Sequence, residues 1–108
     1  MIPKEIHNPD EAKQAFDSSI QHPIFIYKHS PICAVSYHAQ KEWNKFLSKI
    51  PEGIDTYWVN VIGSRIASQS LAQLTGIRHE SPQVLLLYKG KCIWNESHGQ
   101  ITEANLLA

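Results

Sequence analysis

Residues Pro23-Ile24-Phe25-Ile26-Tyr27-Lys28 place the tightest constraint on what this chain can fold into. The run is β-branched and aromatic and lacks a clean polar alternation, the pattern of a strand buried on both faces. Such a strand sits at the centre of a sheet and needs a layer of helices over each face.

The flanking sequence supplies those layers. Asn8 can cap a helix with Pro9 at its first position and Glu11 at its third, a start resembling a capping box. Ala12, Ala15 and Phe16 give that helix one apolar face, and it is expected to end near Ser19. His29-Ser30-Pro31 breaks the central strand. Val35, Ala39, Trp43, Phe46 and Ile50, spaced by three and four, predict a long helix stopped by Pro51 and Gly53. Residues 56–61 predict a second strand. Ser64 can cap a third helix carrying Ile66, Ser70, Leu71 and Leu74, with Gly76 at its left-handed end. Residues 84–88 predict a third strand that turns at Lys89-Gly90 into a return strand over 91–96, a β-hairpin. A short last helix is expected from Thr102 through Leu107.

Strands that alternate with helices pair in parallel through right-handed crossovers, whereas the final hairpin must be antiparallel. The expected architecture is a single α/β domain over residues 1–108, with a four-stranded mixed sheet flanked by helices on both faces. A chain of 108 residues can bury its own core without disulfide staples.

Ten basic and ten acidic side chains cancel. That balance argues against nucleic-acid binding, which draws on a basic excess, and against a polybasic membrane anchor. The longest apolar run, Val84 to Tyr88, is far short of the roughly 18–20 residues that span a bilayer. Residues 1–10 lack the apolar segment of a secretory signal. A cytoplasmic protein is expected, and a monomer.

Cys33 stands between the central strand and the long helix. The unpaired N–H groups and partial positive charge of a helix start favour a thiolate over a thiol. A reactive cysteine is therefore expected there, against the alternative of a buried helix-start residue. Ser36 follows at the third position, where a second cysteine would permit dithiol chemistry. Its hydroxyl can donate to the Cys33 sulfur, or it can be a solvated first-turn serine. Cys92 reads as a small sheet-face residue, with a remote resolving thiol as the sharper alternative. His29 could act on the thiolate as a nearby cation, although a histidine with its needs met by neighbours is the simpler reading. His79-Glu80 and His98-Gly99 are candidates for a substrate-facing rim. The six histidines show no metal-ligand spacing, and no metal is expected. Ser81-Pro82 stands at the start of a strand, where proline is tolerated.

A strand, then Cys33-Ala34-Val35-Ser36 at a helix start, then a proline ahead of the last hairpin together resemble the thioredoxin-like fold. His79-Glu80-Ser81-Pro82-Gln83, Lys89-Gly90, Trp94-Asn95 and His98-Gly99, with Lys28-His29-Ser30 leading to Cys33 and Ser36, narrow the resemblance. They are similar to the bacillithiol-system redox-active proteins of YtxJ type, the monothiol bacilliredoxins, over nearly the whole chain. The resemblance implies a cis bond at Ser81-Pro82, with Ser81 beside Cys33 and its backbone holding an extended substrate. It implies His29, Ile32, Ala34, Ser81 and Pro82 as substrate-binding positions and Cys33 and Ser36 as the catalytic pair. The activity it implies is removal of a small thiol from S-thiolated client proteins, with no bound cofactor and with bacillithiol or another low-molecular-weight thiol as co-substrate. Two departures stand out. Ala34 replaces the family's proline, giving up its rigidity in the first turn, and Ile32 replaces a threonine. Two other functions compete with this one. One is a non-catalytic binding or redox-sensing module. The other is an iron–sulfur carrier like the monothiol glutaredoxins, whose glycine-phenylalanine pair Ala34-Val35 does not match.

Overall fold

A computed structural model of the protein describes residues 3–31, 34–50 and 53–107. The elements run β1 (Lys4–Glu5), α1 (Pro9–Ser18), β2 (Ile24–His29), α2 (Ala34–Leu47), β3 (Asp55–Asn60), α3 (Arg65–Thr75), β4 (Gln83–Tyr88), β5 (Lys91–Ser97), a 3₁₀ turn (His98–Gln100) and α4 (Glu103–Leu107). The sheet order is β1-β3-β2-β4-β5. β1, β3 and β2 are parallel, and β4 and β5 continue antiparallel.

The sheet has five strands rather than the four expected. The extra one is β1, which pairs Lys4 with Tyr57 and Glu5 with Trp58. Two residues of ordinary polar sequence carry no period-2 signal; the edge of β3 makes them a strand, and the burial of Ile6 just beyond holds them there.

β2 lies in the middle, and alternation along it divides the core. Ile24 and Ile26 face α1 and α3, where Ala12, Ala15, Ala67 and Leu71 let the helices approach closely, with Val59, Leu85 and Leu87 from neighbouring strands. Phe25 and Tyr27 face α2 and pack with Ala39, Trp43, Phe46, Val84, Ile101 and Leu106. Tyr27 stacks on Trp43 with centroids 5.5 Å apart, and Phe25 meets Phe46 edge-on at 5.0 Å.

Local signals set the ends of the elements. The Asn8 side chain accepts from the Glu11 N–H at 2.9 Å. The Glu11 carboxylate reaches past the cap to the His7 N–H at 2.7 Å. Gly76 ends α3 at φ 72°, in the left-handed region. Lys89 (φ 56°) and Gly90 (φ 76°) supply two positive φ angles, as a two-residue hairpin of primed type requires. The end of α1 pins that hairpin, because the Ser19 carbonyl accepts from the Lys89 N–H and its hydroxyl from the Gly90 N–H. Ser64 begins α3 without a side-chain cap bond. Asn60 at the end of β3 instead accepts from the Ile62 and Gly63 N–H groups, both at 3.0 Å.

No helix among the described residues is long and apolar enough to cross a membrane.

Candidate functional site at the end of the central strand

Parallel β2 and β3 deliver their C-terminal ends to the same edge of the sheet, and α2 begins there at Ala34. Open α/β folds place their ligands at that edge. Ile32 and Cys33, singled out by the sequence, lie outside the described residues. The residues on either side of them are well defined.

Ser30 is buried, and its N–H donates to Ser36 Oγ at 3.3 Å. Ser36, in the first turn of α2, is fully buried, so it is not the solvated serine that the sequence left open. This bond bridges the five residues from Pro31 to Val35, Cys33 among them. The Ser36 carbonyl in turn accepts from the Tyr27 hydroxyl at 3.2 Å, tying the first turn of α2 to the central strand. Ala34 is exposed at the helix start.

His29 ends β2 half-buried, its Nδ1 3.3 Å from the Tyr27 hydroxyl. Burial lowers its pKa, which disfavours the imidazolium form and with it the role of a nearby cation at neutral pH.

The Ser81–Pro82 bond is cis. Pro82 is fully buried and its carbonyl accepts from the His98 N–H at 2.9 Å. Ser81 and Ser30 line one cavity of about 360 Å³, with Val61, Arg65, Ser68 and His79. The segment ahead of β4 is thus brought beside the end of β2. A second cavity of about 440 Å³ opens on the α2 side and is lined by Tyr27, His29, Pro31, Trp43, Trp58 and Asn60. The two rim segments also meet, with His98 Nε2 3.6 Å from a Glu80 oxygen.

Cys92 lines neither of these two cavities. It is half-buried on β5 against the α1/α3 side of the core, and its thiol donates to the Trp94 carbonyl at 3.2 Å. Burial pushes its pKa up. A bulge between Leu86 and Leu87 of β4 brings Cys92 opposite Leu87.

Lys28 enters the sequence reading only as part of the family motif, although a signal for its burial is present. Ile24, Ile26 and Lys28 share one face of a central strand, so the lysine belongs under the helices of that face. It is fully buried, with Nζ 3.4 Å from His79 Nδ1. Ser68 Oγ lies 3.1 Å from the same nitrogen. Burial lowers the Lys28 pKa to about 8. Gln83, opposite Lys28 on β4, is also buried and donates to the Arg78 carbonyl at 3.1 Å. Among the described residues no three His, Cys, Asp or Glu side chains cluster as a metal site would require.

Comparison with known proteins agrees with this geometry. The family model for the monothiol bacilliredoxin BrxC matches residues 4–106. A solved structure described as a candidate oxidoreductase with a thioredoxin fold is 30% identical, covers 98% of this chain and 91% of its own, and superposes with a TM-score of 0.84. Mitochondrial thioredoxin 3 of Saccharomyces cerevisiae in its oxidised form superposes at 0.73, with 13% identity over 97% of this chain and 90% of its own. The thioredoxin of Malassezia sympodialis gives 0.74, with 19% identity over 98% and 85%. These last two show the fold alone, which is thioredoxin-like. With a thiol redox function following from the family match and the fold, the chain belongs to the monothiol bacilliredoxin family.

Proposed function

We propose that the chain is a monothiol thiol–disulfide oxidoreductase that uses Cys33 to remove a low-molecular-weight thiol, bacillithiol by family, from mixed disulfides on cytoplasmic client proteins. The observation that carries this reading is the Ser30 N–H to Ser36 Oγ bond between residues on either side of Cys33 in the chain, with Ser30 and Ser81 lining one cavity. Cys33 directly precedes Ala34, the first residue of a 14-residue helix, and a helix start favours a thiolate.

The Cys33 thiolate attacks the small-thiol sulfur of the mixed disulfide. A bond forms between Cys33 and the small thiol as the bond to the client sulfur breaks. The client sulfur leaves with the electron pair and takes a proton from water. A second small thiol, as thiolate, then attacks the small-thiol sulfur held on Cys33. Cys33 is released as thiolate together with the small-thiol disulfide, so each turnover consumes one free small thiol, whose sulfur is oxidised as the client sulfur is reduced. Ser36 in place of a cysteine closes the intrahelical dithiol route. The backbone of Ser81 holds the client as an added strand. The protein acts as a monomer, binds S-thiolated clients and small thiols, and takes no nucleic acid and no membrane.

The test is transfer of a mass-labelled small thiol from a client mixed disulfide. The Cys92→Ala protein should gain one label at Cys33, and Cys33→Ser should gain none. Label on Cys92, or no transfer to Cys92→Ala, overturns the reading and favours a non-catalytic binding module.

A further inference from the structure

The cavity of about 360 Å³ beside Ser30 and Ser81 has Val61 and Ile62 in its wall, with polar and cationic groups making up the rest, and among the described residues no acidic side chain lines it. Arg65 opens onto it from the first turn of α3, and no carboxylate among the described residues pairs with that guanidinium. Gln69 and Ser68 follow on the same helix.

His79 closes the wall, and its neighbours fix its tautomer. An ammonium has only protons to give, so Lys28 Nζ, 3.4 Å away, makes Nδ1 the acceptor of the ring. The proton of the neutral imidazole therefore sits on Nε2. Burial and the Lys28 charge both lower the His79 pKa, with Glu80 opposing, so the neutral ring is favoured at pH 7. His79 is exposed and lines the cavity, and with Nδ1 taken by Lys28 and Ser68 its N–H donor is Nε2.

Behind that ring lies an ammonium that is fully buried and has no carboxylate within ion-pair distance among the described residues. With a pKa of about 8, it is mostly protonated at pH 7. A buried cation without a counter-charge is unfavourable, and an anion in the adjoining cavity would supply one.

We propose that this cavity is a carboxylate subsite for the small thiol of the mixed disulfide, with Arg65 as counter-ion, the His79 Nε2–H and Gln69 as oriented donors, and Lys28 as the buried charge behind them. The inference rests on the oxidoreductase reading and names the chemistry of its small substrate. A volume of this size suits a small ligand rather than a length of folded chain. Ser30, which lines it, stands three residues before Cys33 in the chain.

The test uses a client peptide free of acidic residues, joined by mixed disulfide to mercaptosuccinate or to mercaptoethanol. The quantity read is the ratio of the two KM values. The wild type should favour the mercaptosuccinate disulfide by about tenfold, the scale of one charge-assisted contact. Arg65→Gln, a change at an exposed position, should bring that ratio close to one, and Gln69→Ala should reduce it. Equal KM values in the wild type, or a ratio unmoved by Arg65→Gln, overturn the proposal and leave the exchange reading standing. A preference that follows an aspartate placed in the peptide, rather than the carboxylates of the thiol, also overturns it. A parallel titration with succinate, watched at the His79 ring by NMR, needs no turnover. Saturable shifts that Arg65→Gln removes support the subsite. No shift, or equal shifts with chloride at matched ionic strength, overturns it. Should neither disulfide exchange, the oxidoreductase reading fails and the succinate titration alone decides the cavity.

Discussion

Lys28 Nζ lies 3.4 Å from Nδ1 of His79, a contact that ties the core of the central strand to the segment carrying Ser81. The ammonium sits in a fully buried position and its pKa falls to about 8, because burial penalises the charged form. The unfolded chain therefore holds its proton more tightly than the folded one between pH 8 and the ordinary lysine value. Stability contributed at this position rises with pH through that window. Lys28→Met should be more stable than the wild type at pH 7, and the advantage should shrink as pH climbs toward 10.5. The full swing is of the order of 3 kcal/mol. Urea unfolding of both proteins at pH 7 and pH 10 reads it. A difference that stays flat with pH would remove the buried charge from the account.

Cys92 is the second consequence of that charge. Burial raises its pKa, and the Lys28 ammonium partly offsets the rise. In a Cys33→Ser background, Cys92 should react with iodoacetamide more slowly at pH 7 than a free cysteine does. Its alkylation midpoint should lie at higher pH than that of a free cysteine, because burial disfavours the thiolate. A midpoint at or below the free-cysteine value would contradict that burial.

The start of α1 gives a prediction independent of the site. Asn8 Oδ1 accepts from the Glu11 N–H at 2.9 Å, and alanine at this position leaves that donor to solvent. Asn8→Ala should cost about 1 kcal/mol. Thermal unfolding should show a midpoint lower by several degrees for a domain of this size. Asn8→Ser, which keeps an acceptor, should recover most of the loss.

Much of this fold is legible in the sequence because its signals are local. Asn8-Pro9, Gly76 and Lys89-Gly90 mark ends that depend on backbone angles and nearby donors, and Ile24 to Tyr27 announces a strand through its own side chains. β1 is hidden for the opposite reason. Lys4 and Glu5 become a strand only because β3 offers an edge. Ser64 stands at the N-cap of α3 as its sequence suggests, but its side chain makes no cap bond, while Asn60 orders the turn just before it through the Ile62 and Gly63 N–H groups. In the site, Ser36 is marked by its spacing from Cys33, and Ser81 and Pro82 by their place ahead of a strand and by the family resemblance. Arg65 and Ser68 join His79, a rim candidate from the sequence, round one cavity only after α3 packs on the sheet, so no spacing along the chain announces those two. Lys28 lies between these cases, since alternation places it inward but a terminal lysine reads as the polar end of a strand.

Ser36 bears most directly on the candidate site. Its hydroxyl accepts from the Ser30 N–H in a place where both residues are buried. Ser36→Ala removes the partner of that N–H in a buried residue. A buried unsatisfied donor costs about 1–3 kcal/mol, more than the loss of an exposed bond. The global stability should fall by that amount. The Ser30 amide itself should lose hydrogen-exchange protection beyond the global change, because the segment from Pro31 to Val35 is no longer closed at its ends. Residue-resolved exchange on the wild type and Ser36→Ala separates the two effects. If Ser30 protection falls only in step with global stability, Ser36 is a packing residue and the bracket does not hold the segment. If it falls further, small-thiol transfer to Cys33 should slow in the same variant, with the loss in kcat rather than KM, since positioning rather than binding is removed.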